Sequence, residues 1–419
     1  MAGLTGISET LGDKIRLPDL PAWINALIIL TAFVFPIDQN WAKTIMTLVF
    51  LLWLFTLGDG EKLRFLRCNR VVQSATFFLF ILALSLLWSE DLKSGINYVN
   101  RFAIYIYIPL LIVASSIRRE TIPYIIKAFI FSMFLNELIS YGMLFGLIPQ
   151  ANPSFPVAFM HHIPYSVLVA FTILLLGYEI KNSSDIKRRL FYATFFLTMT
   201  GNLVISGGRT GQVTLLLTLF FVILTYARLS LRTLSLATLL PVLIFSSAYF
   251  GYEQFQERVQ HAISDTQKAL QHQDFNTSFG NRLASYVIAR DILAEGSLLF
   301  GVGIGDLDIE KKRIVNRDYQ GQMQLAHDHW HFHNYFIDTV VGTGLLGLGA
   351  LLFLLLAIYR TRVVDGELAY IKLVTLFIVI IADLPARVLH QQNTMLFFAI
   401  FIGMLLAQYR IESASRKAE

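Results

Sequence analysis

The stretch NYFIDTVVGTGLLGLGALLFLLLAIY, residues 334–359, decides the class of fold. A helix needs about 20 mostly apolar residues to cross the hydrocarbon of a bilayer, and this run is longer than that. Reading outward from it finds about eleven more such runs. They lie near 22–36, 41–57, 71–88, 101–117, 121–146, 158–178, 190–206, 211–227, 233–250, 369–383 and 393–409. The composition agrees. Of 419 residues, 55% are hydrophobic and 15% charged, against about 45–50% and about 25% in soluble domains. Mean hydropathy is +0.58, and 34 Phe, 17 Tyr and 5 Trp make the chain rich in aromatics. These figures exclude disorder, collagen, coiled coil and an ordinary soluble enzyme. They predict an all-α polytopic membrane protein of about 12 transmembrane helices. The first run is not expected to be a signal peptide, because no small-residue cleavage site follows it.

The charges test the count. Cytoplasmic loops of membrane proteins collect Lys and Arg. With the N-terminus inside, the inside segments hold 19 basic residues, from Lys14 and Arg16 through Lys62, Arg64, Arg67 and Arg70 to Arg410, Arg416 and Lys417. The short outside loops and helix ends hold 5: Lys43, Lys93, Arg101, Arg209 and Arg387. The net charge of +5 therefore reads as orientation, and no nucleic-acid partner is expected. Membrane lipids are. The single cysteine, Cys68, lies on the reducing side and excludes an intramolecular disulfide.

Residues 251–333 are the one long polar stretch, with 8 Lys/Arg and 11 Asp/Glu. Phe255, Val259, Ala262, Ile263 and Leu270, and then Leu283, Tyr286, Val287, Ile288, Ile292 and Leu293, recur at helical spacing. The expected organisation is one integral domain: helices 1–9 within 1–250, a folded outer cap at 251–333, and helices 10–12 within 334–419.

Polar residues able to meet on the outer face carry the chemistry. Arg209 sits in the turn Gly207-Gly208-Arg209-Thr210-Gly211, whose glycines allow a tight bend and can leave amides facing an anion. The plain alternative is an interfacial arginine that reaches toward headgroups. Arg282 opens the second amphipathic run after Thr277 and Ser278, either of which suits a helix cap. The alternative there is a solvated arginine. Gly301-Val302-Gly303-Ile304-Gly305-Asp306 lacks the strand–helix setting and lysine of a nucleotide loop and reads as a flexible turn. His327, His329, His331 and His333 fall at every second position before the tenth run. In an extended segment they share one face and suggest a metal site; on a helix they do not. A catalytic base at the membrane edge is the second reading, and a polar interfacial stretch the third. His161 and His162 follow Pro153 and Pro156, and Asp383, Arg387 and His390 lie in the turn before the last run.

The ordered set is Gly-Gly-Arg-Thr-Gly, then Gly280-Asn281-Arg282-Leu283 and the Gly-Val-Gly of the large loop, then His331-Phe332-His333-Asn334 entering a span that continues Gly342-Thr343-Gly344. It resembles the O-antigen ligase and O-antigen polymerase superfamily of bacterial envelope glycosyltransferases. The motifs cover roughly residues 200–350, and the likeness in topology extends over the whole chain. The resemblance implies a glycosyltransferase-C-like fold with a large periplasmic helical loop in the bacterial inner membrane. It implies transfer of a glycan from undecaprenyl diphosphate to a hydroxyl of lipid A–core, without metal or cofactor. The family arginines match Arg209 and Arg282, as diphosphate ligands, and the family base matches His333. His331 and Asn334 match supporting positions. Asp383 matches by place only, and Arg387 is a weaker anion-binding candidate. His327 and His329 depart from the family pattern and leave an accessory metal site open. O-antigen polymerase and protein O-oligosaccharyltransferase are relatives with the same donor chemistry. A transporter of lipid-linked oligosaccharide is the alternative of another class, disfavoured because the runs carry few mid-span charges.

Overall fold

The computed structural model describes residues 19–58, 60–149, 155–157, 159–226, 253–272, 274–277, 279–319, 321–329 and 331–418, with a few positions between 235 and 251. Most of the ninth expected run, together with Lys14, Arg16, Pro153, Arg228, Arg232, Ser278 and Trp330, lies outside them. Among the described residues there are helices and no strands. The helices are α1 (Leu20–Val34), α2 (Gln39–Leu54), α3 (Gly60–Cys68), α4 (Arg70–Leu84), α5 (Leu92–Phe102), α6 (Ile108–Ser116), α7 (Ile122–Leu144), α8 (His162–Asn182), α9 (Ile186–Ile205) and α10 (Arg209–Tyr226). Four more occupy the inserted segment: α11 (Glu253–His272), α12 (Gly280–Glu295), α13 (Leu307–Asp318) and α14 (Gln324–Asp328). The chain closes with α15 (Tyr335–Arg360), α16 (Gly366–Asp383) and α17 (Gln392–Ala418).

Helices stand at every expected run that the described residues cover. Six helical stretches among the described residues are long and apolar enough to cross a bilayer: Arg70–Trp88, Leu92–Ser116, Arg119–Leu144, His162–Asn182, Tyr335–Arg360 and Gln392–Arg416. Leu20–Val34 and Arg209–Thr225 are apolar but shorter. The other expected runs within the described residues fall short of that measure for simple reasons. At about 1.5 Å per residue, the 16 residues of α2 are brief. Charged residues in α9 (Lys187, Arg188, Arg189) and α16 (Glu367, Lys372, Asp383) leave shorter apolar stretches.

The starts of the helices are written in the sequence. Asp38, Asn69, Asp91, Asp185, Asn334 and Asp365 each accept backbone amides of the first turn of α2, α4, α5, α9, α15 and α16. In a bilayer this satisfies amides that no water would reach. The bundle centres on α8 and α17, buried almost continuously over Pro164–Leu176 and Met395–Ala407. Phe129, Phe171, Phe397 and Phe401 interlock there, with ring centroids 4.6–6.3 Å apart. Close approach depends on small residues. A Cβ at Gly403 would stand 2.6 Å from the Cβ of Val113 on α6, and one at Gly211 would overlap the Ser166 carbonyl on α8. Outward, Trp41, Phe55, Leu87 and Leu147 are 65–80% exposed. That surface suits lipid rather than water.

One segment differs from its expected reading. Helix α15 breaks at Gly344 (φ 67°, ψ −166°), which would leave orphaned amides and carbonyls inside the bundle. Residues 298–303 lie along the break and pair with it. Val302 and Gly303 donate to the carbonyls of Val341 and Gly342 at 2.9 and 3.0 Å, and Leu345 and Leu346 donate to Leu298 and Leu299 at 2.9 and 3.3 Å. Beyond, the Asp306 carboxylate accepts the amides of Glu90 and Asp91, both at 2.8 Å, at the start of α5. The glycine-rich stretch is thus a packed clasp, not a flexible turn. Its glycines admit the α15 backbone: a Cβ on Gly301 (φ 70°) would lie 2.5 Å from the Val341 carbonyl.

Gly344→Ala forces a side chain into a conformation that only glycine adopts readily and drives it onto the Leu299 carbonyl. The unfolding free energy is expected to fall by about 2 kcal/mol or more. Gly349→Ala, in the same helix with open space around its Cα, is expected to be neutral or stabilising. Paired thermal melts in detergent check both, and equal midpoints would refute the clasp.

Candidate active site

The site is built on the loop between α14 and α15. Its histidines do not share one face, because His327 falls within the short helix α14 and contacts Asp328 at 3.1 Å. The other three converge. The rings of His331 and His333 are 4.3 Å apart, and those of His329 and His333 are 4.9 Å apart. His333 holds a positive φ of 52°, which among the described residues no other non-glycine shares. Such a backbone persists only where its surroundings over-determine it.

The surroundings are specific. Lys311 of α13, fully buried, donates from Nζ to the carbonyls of His329 and His331 at 2.5 and 2.6 Å and lies 5.4 Å from the centre of the Phe332 ring. From below, the Phe332 amide donates to Asp338 Oδ1 at 3.0 Å. The His333 amide donates to His331 Nδ1 at 3.1 Å, so the hydrogen of a neutral His331 sits on Nε2. His329 Nδ1 donates to the Leu325 carbonyl at 2.6 Å. The loop is fastened on both sides of His333.

Helix α12 covers this loop. The residue at the cap position is Phe279, which makes no side-chain cap hydrogen bond. Thr277 Oγ1 instead accepts the amide of Gly280, the first helical residue, at 3.0 Å, and Gly280 packs where a Cβ would meet the Phe275 backbone. This start aims one face of α12 at the histidines. Asn281 Nδ2 lies 3.2 Å from His333 Nε2, and Asn334 Nδ2 donates to the Tyr286 hydroxyl at 3.2 Å. Arg282, next to Asn281 on the helix, is half-buried. Burial and then the positive charge of Arg209 weaken its hold on its proton. Among the described residues no carboxylate forms an ion pair with Arg282. Arg209 itself is the first residue of α10. Its turn is tight, as expected, with Gly207 at φ 69°. The Gly211 amide, however, is taken by Ser166 Oγ at 3.2 Å and does not face an anion.

The protonation states follow from this crowding. Burial first, then His329, Lys311, Arg282 and Arg387, push His333 down to about 3. Burial and then Arg387 depress His331 further. Burial lowers Lys311 to about 7. The free site is therefore a neutral imidazole facing a group of cations, an arrangement that favours an anionic ligand.

Arg387 is placed beneath the loop rather than at its open side. It is 5% exposed, forms a buried ion pair with Asp338, and lies 5.9 Å from the centre of the Tyr98 ring. Asp383 is fully buried and accepts the Leu389 amide at 3.0 Å, holding the turn between α16 and α17. His390 stacks on Tyr98 with centroids 4.6 Å apart. His161 and His162 stack together (4.1 Å), with Phe155 on His162 (4.3 Å). Among the described residues no three His, Cys, Asp or Glu side chains converge in a metal-binding arrangement. Sequence reasoning missed Lys311, Asp338, Asn281 and Tyr286. A lone carboxylate in the apolar run of α15 was a signal for Asp338. Lys311 gave none, since Glu310-Lys311-Lys312 reads as a solvated face.

Fold and site together define a polytopic, all-α membrane protein with a histidine and paired arginines where an inserted helical segment meets the bundle. Residues 194–352 match the family model described as O-antigen ligase, which supports placing the chain in the O-antigen ligase superfamily. The match runs from α9 through the Gly344 break, so it contains Arg209, Arg282, Lys311, His331, His333 and Asn334 and ends before Asp383 and Arg387. No curated protein matches the chain.

Lys311→Met leaves two loop carbonyls unpaired and removes a cation from beside His333. Stability is expected to fall by about 1–3 kcal/mol. The His333 titration, followed by NMR of ring-labelled histidine, is expected to move up toward the ordinary imidazole value. An unmoved titration in a folded variant would show that Lys311 does not act on His333.

Proposed function

We propose that the protein is an O-antigen ligase of the bacterial inner membrane, with its site on the periplasmic face. It joins a glycan carried on undecaprenyl diphosphate to a hydroxyl of lipid A–core and completes lipopolysaccharide. What supports this reading most is that Asn281, next to Arg282, lies 3.2 Å from His333, and that the charge of Arg282 acts on His333 and that of Arg209 on Arg282. All of these residues fall within the segment that matches the ligase family. The arrangement suits displacement at an anomeric carbon. His333 takes the proton of the acceptor hydroxyl as its oxygen bonds to that carbon, with inversion. The bond from carbon to diphosphate oxygen breaks, and the electron pair leaves with the diphosphate. Arg209 and Arg282 hold that leaving group, because guanidinium presents forked donors to phosphate oxygens. With two guanidiniums supplying the positive charge, the reading needs no divalent cation. His331 and Asn334 orient the base and the start of α15. Asp383 and Arg387 act from beneath, by holding the loop.

A base depressed to about 3 is a poor proton acceptor. Bound diphosphate brings negative charge beside Arg209 and Arg282, opposes their effect, and raises the affinity of His333 for a proton. Substrate thus makes its own base effective. Protonated His333 cannot accept a proton, so activity falls as pH drops through its titration. The acid limb of kcat, which reports the donor complex, is therefore expected at higher pH than that of kcat/KM, which reports the free enzyme. Coincident limbs would count against this coupling.

The decisive experiment is transfer by purified protein from lipid-linked glycan to rough lipopolysaccharide, with chelator present. Product on lipid A–core supports ligase, whereas longer donor-linked chains would make the protein a polymerase. His333→Ala is expected to lose about 10²–10⁴-fold in rate, and Arg209→Lys about 10²-fold at saturating donor. Wild-type rates in either folded variant would overturn its assigned role.

A further inference from the structure

Away from the histidines, a groove opens between α3, α4 and α6 with a cavity of about 610 Å³. Its walls are mostly apolar, with Phe77, Phe80 and Leu111 prominent. Two hydroxyls lie in it, but they satisfy each other. Thr76 Oγ1 donates to the Val72 carbonyl at 2.8 Å and receives the Tyr107 hydroxyl, also at 2.8 Å. The lining therefore presents no unmet demand to a hydrocarbon chain. Tyr107 reaches this place from the π-helical turn Ala103–Tyr107 that joins α5 to α6. Such turns are rare and recur at functional positions.

The groove has polarity along its length. One end is marked by Arg67, where Gln73 Nε2 donates to the Arg67 carbonyl at 2.8 Å and fixes the end of α3. Arg64 and Arg70 are exposed nearby, with Lys62 half-buried on the same short helix. From Arg70, the first residue of α4, to Phe80 at the far end is about 15 Å of helix. That is half of a hydrocarbon core about 30 Å thick. The groove is one leaflet deep and basic at its headgroup end.

We propose that this groove holds an acyl chain of an anionic phospholipid, with the headgroup phosphate on Arg67 and the adjoining arginines. Charge complementarity selects the headgroup, and the depth selects a lipid of the leaflet at the basic end. The positive-inside pattern identifies that leaflet as the cytoplasmic one, whose anionic lipids attract juxtamembrane basic residues. The proposal rests on the membrane-spanning fold and not on glycan transfer, so the two stand or fall separately.

The test is native mass spectrometry of the full chain extracted from vesicles of equimolar phosphatidylglycerol and phosphatidylcholine. Wild type is expected to retain phosphatidylglycerol about fivefold over phosphatidylcholine, the preference one arginine near a charged headgroup supplies. Arg67→Gln, at an exposed position, is expected to reduce that preference toward parity. Thr76→Trp, also at an exposed position, fills the groove and is expected to lose the retained lipid at an unchanged melting temperature. Equal retention of both lipids by wild type overturns the proposal, as does unchanged retention by folded Thr76→Trp. Displacement of phosphatidylglycerol by an equal mole fraction of undecaprenyl phosphate would assign the groove to an isoprenoid lipid instead, and would also overturn it.

Discussion

A helix interrupted inside a bilayer must find partners for the amides and carbonyls it exposes, because lipid offers none. At Gly344 those partners come from the segment 298–303, which lies against α15 and meets four backbone groups of the break. Much else follows from that pairing. It ties the inserted helical segment to the bundle at a place that no flexible linker could fix. Asp306 then binds the start of α5, so the segment is held at two points. Helices α12 and α13 emerge from this anchor already oriented toward the loop that opens α15. Exposed ion pairs such as Arg313–Glu295, at 3.0 Å, link the two helices, but pairs of that kind contribute little beside the backbone clasp.

The site concentrates positive charge around a neutral ring. Lys311, Arg282 and Arg387 all bear on it, Arg209 bears on Arg282, and Asp338 is buried against Arg387. Left to themselves, such cations would separate. They stay together because each is carried by a different rigid element: α13, α12, α10 and the turn between α16 and α17. The cost of crowding is borne by the fold and becomes useful when an anion arrives. This also explains why the loop is fastened through its backbone. Lys311 grips carbonyls and Asp338 grips an amide, leaving the His333 ring to face Asn281 and the open side.

How much of this the sequence disclosed depends on the kind of interaction. The helices were legible, because lipid solvent demands long apolar runs and Asp or Asn caps announce many of their starts. Arg209, Arg282 and His333 were legible as polar residues beside the apolar runs. Their convergence was not, since it requires α10, α12 and the histidine loop to be folded against one another. The four alternating histidines suggested one extended face, yet a helical turn at Gln324–Asp328 turns His327 away. The stretch 301–306 misled for a related reason. Glycine signals conformational freedom in a sequence, and here that freedom admits a neighbouring backbone. Lys311 was invisible because nothing local distinguishes a buried lysine from a solvated one.

The buried Asp338–Arg387 pair carries the argument past the family segment. Asp338 lies one turn into α15, close under the histidine loop, and Arg387 lies beyond α16, outside the matched residues. A buried ion pair gives little net stability, because desolvation opposes attraction, but breaking one partner leaves a charge stranded. It therefore acts chiefly to specify geometry. Asp338 divides itself between the Phe332 amide and Arg387, so the position of the turn before α17 is transmitted to the backbone beside His333. Tyr98 of α5 lies against Arg387, and Arg101 Nη1 donates to the His390 carbonyl at 3.0 Å. The last hairpin, α5 and the start of α15 form one buried polar unit beneath the ring. The place of His333 is thus set by residues from both ends of the bundle, as well as by the segment that carries it.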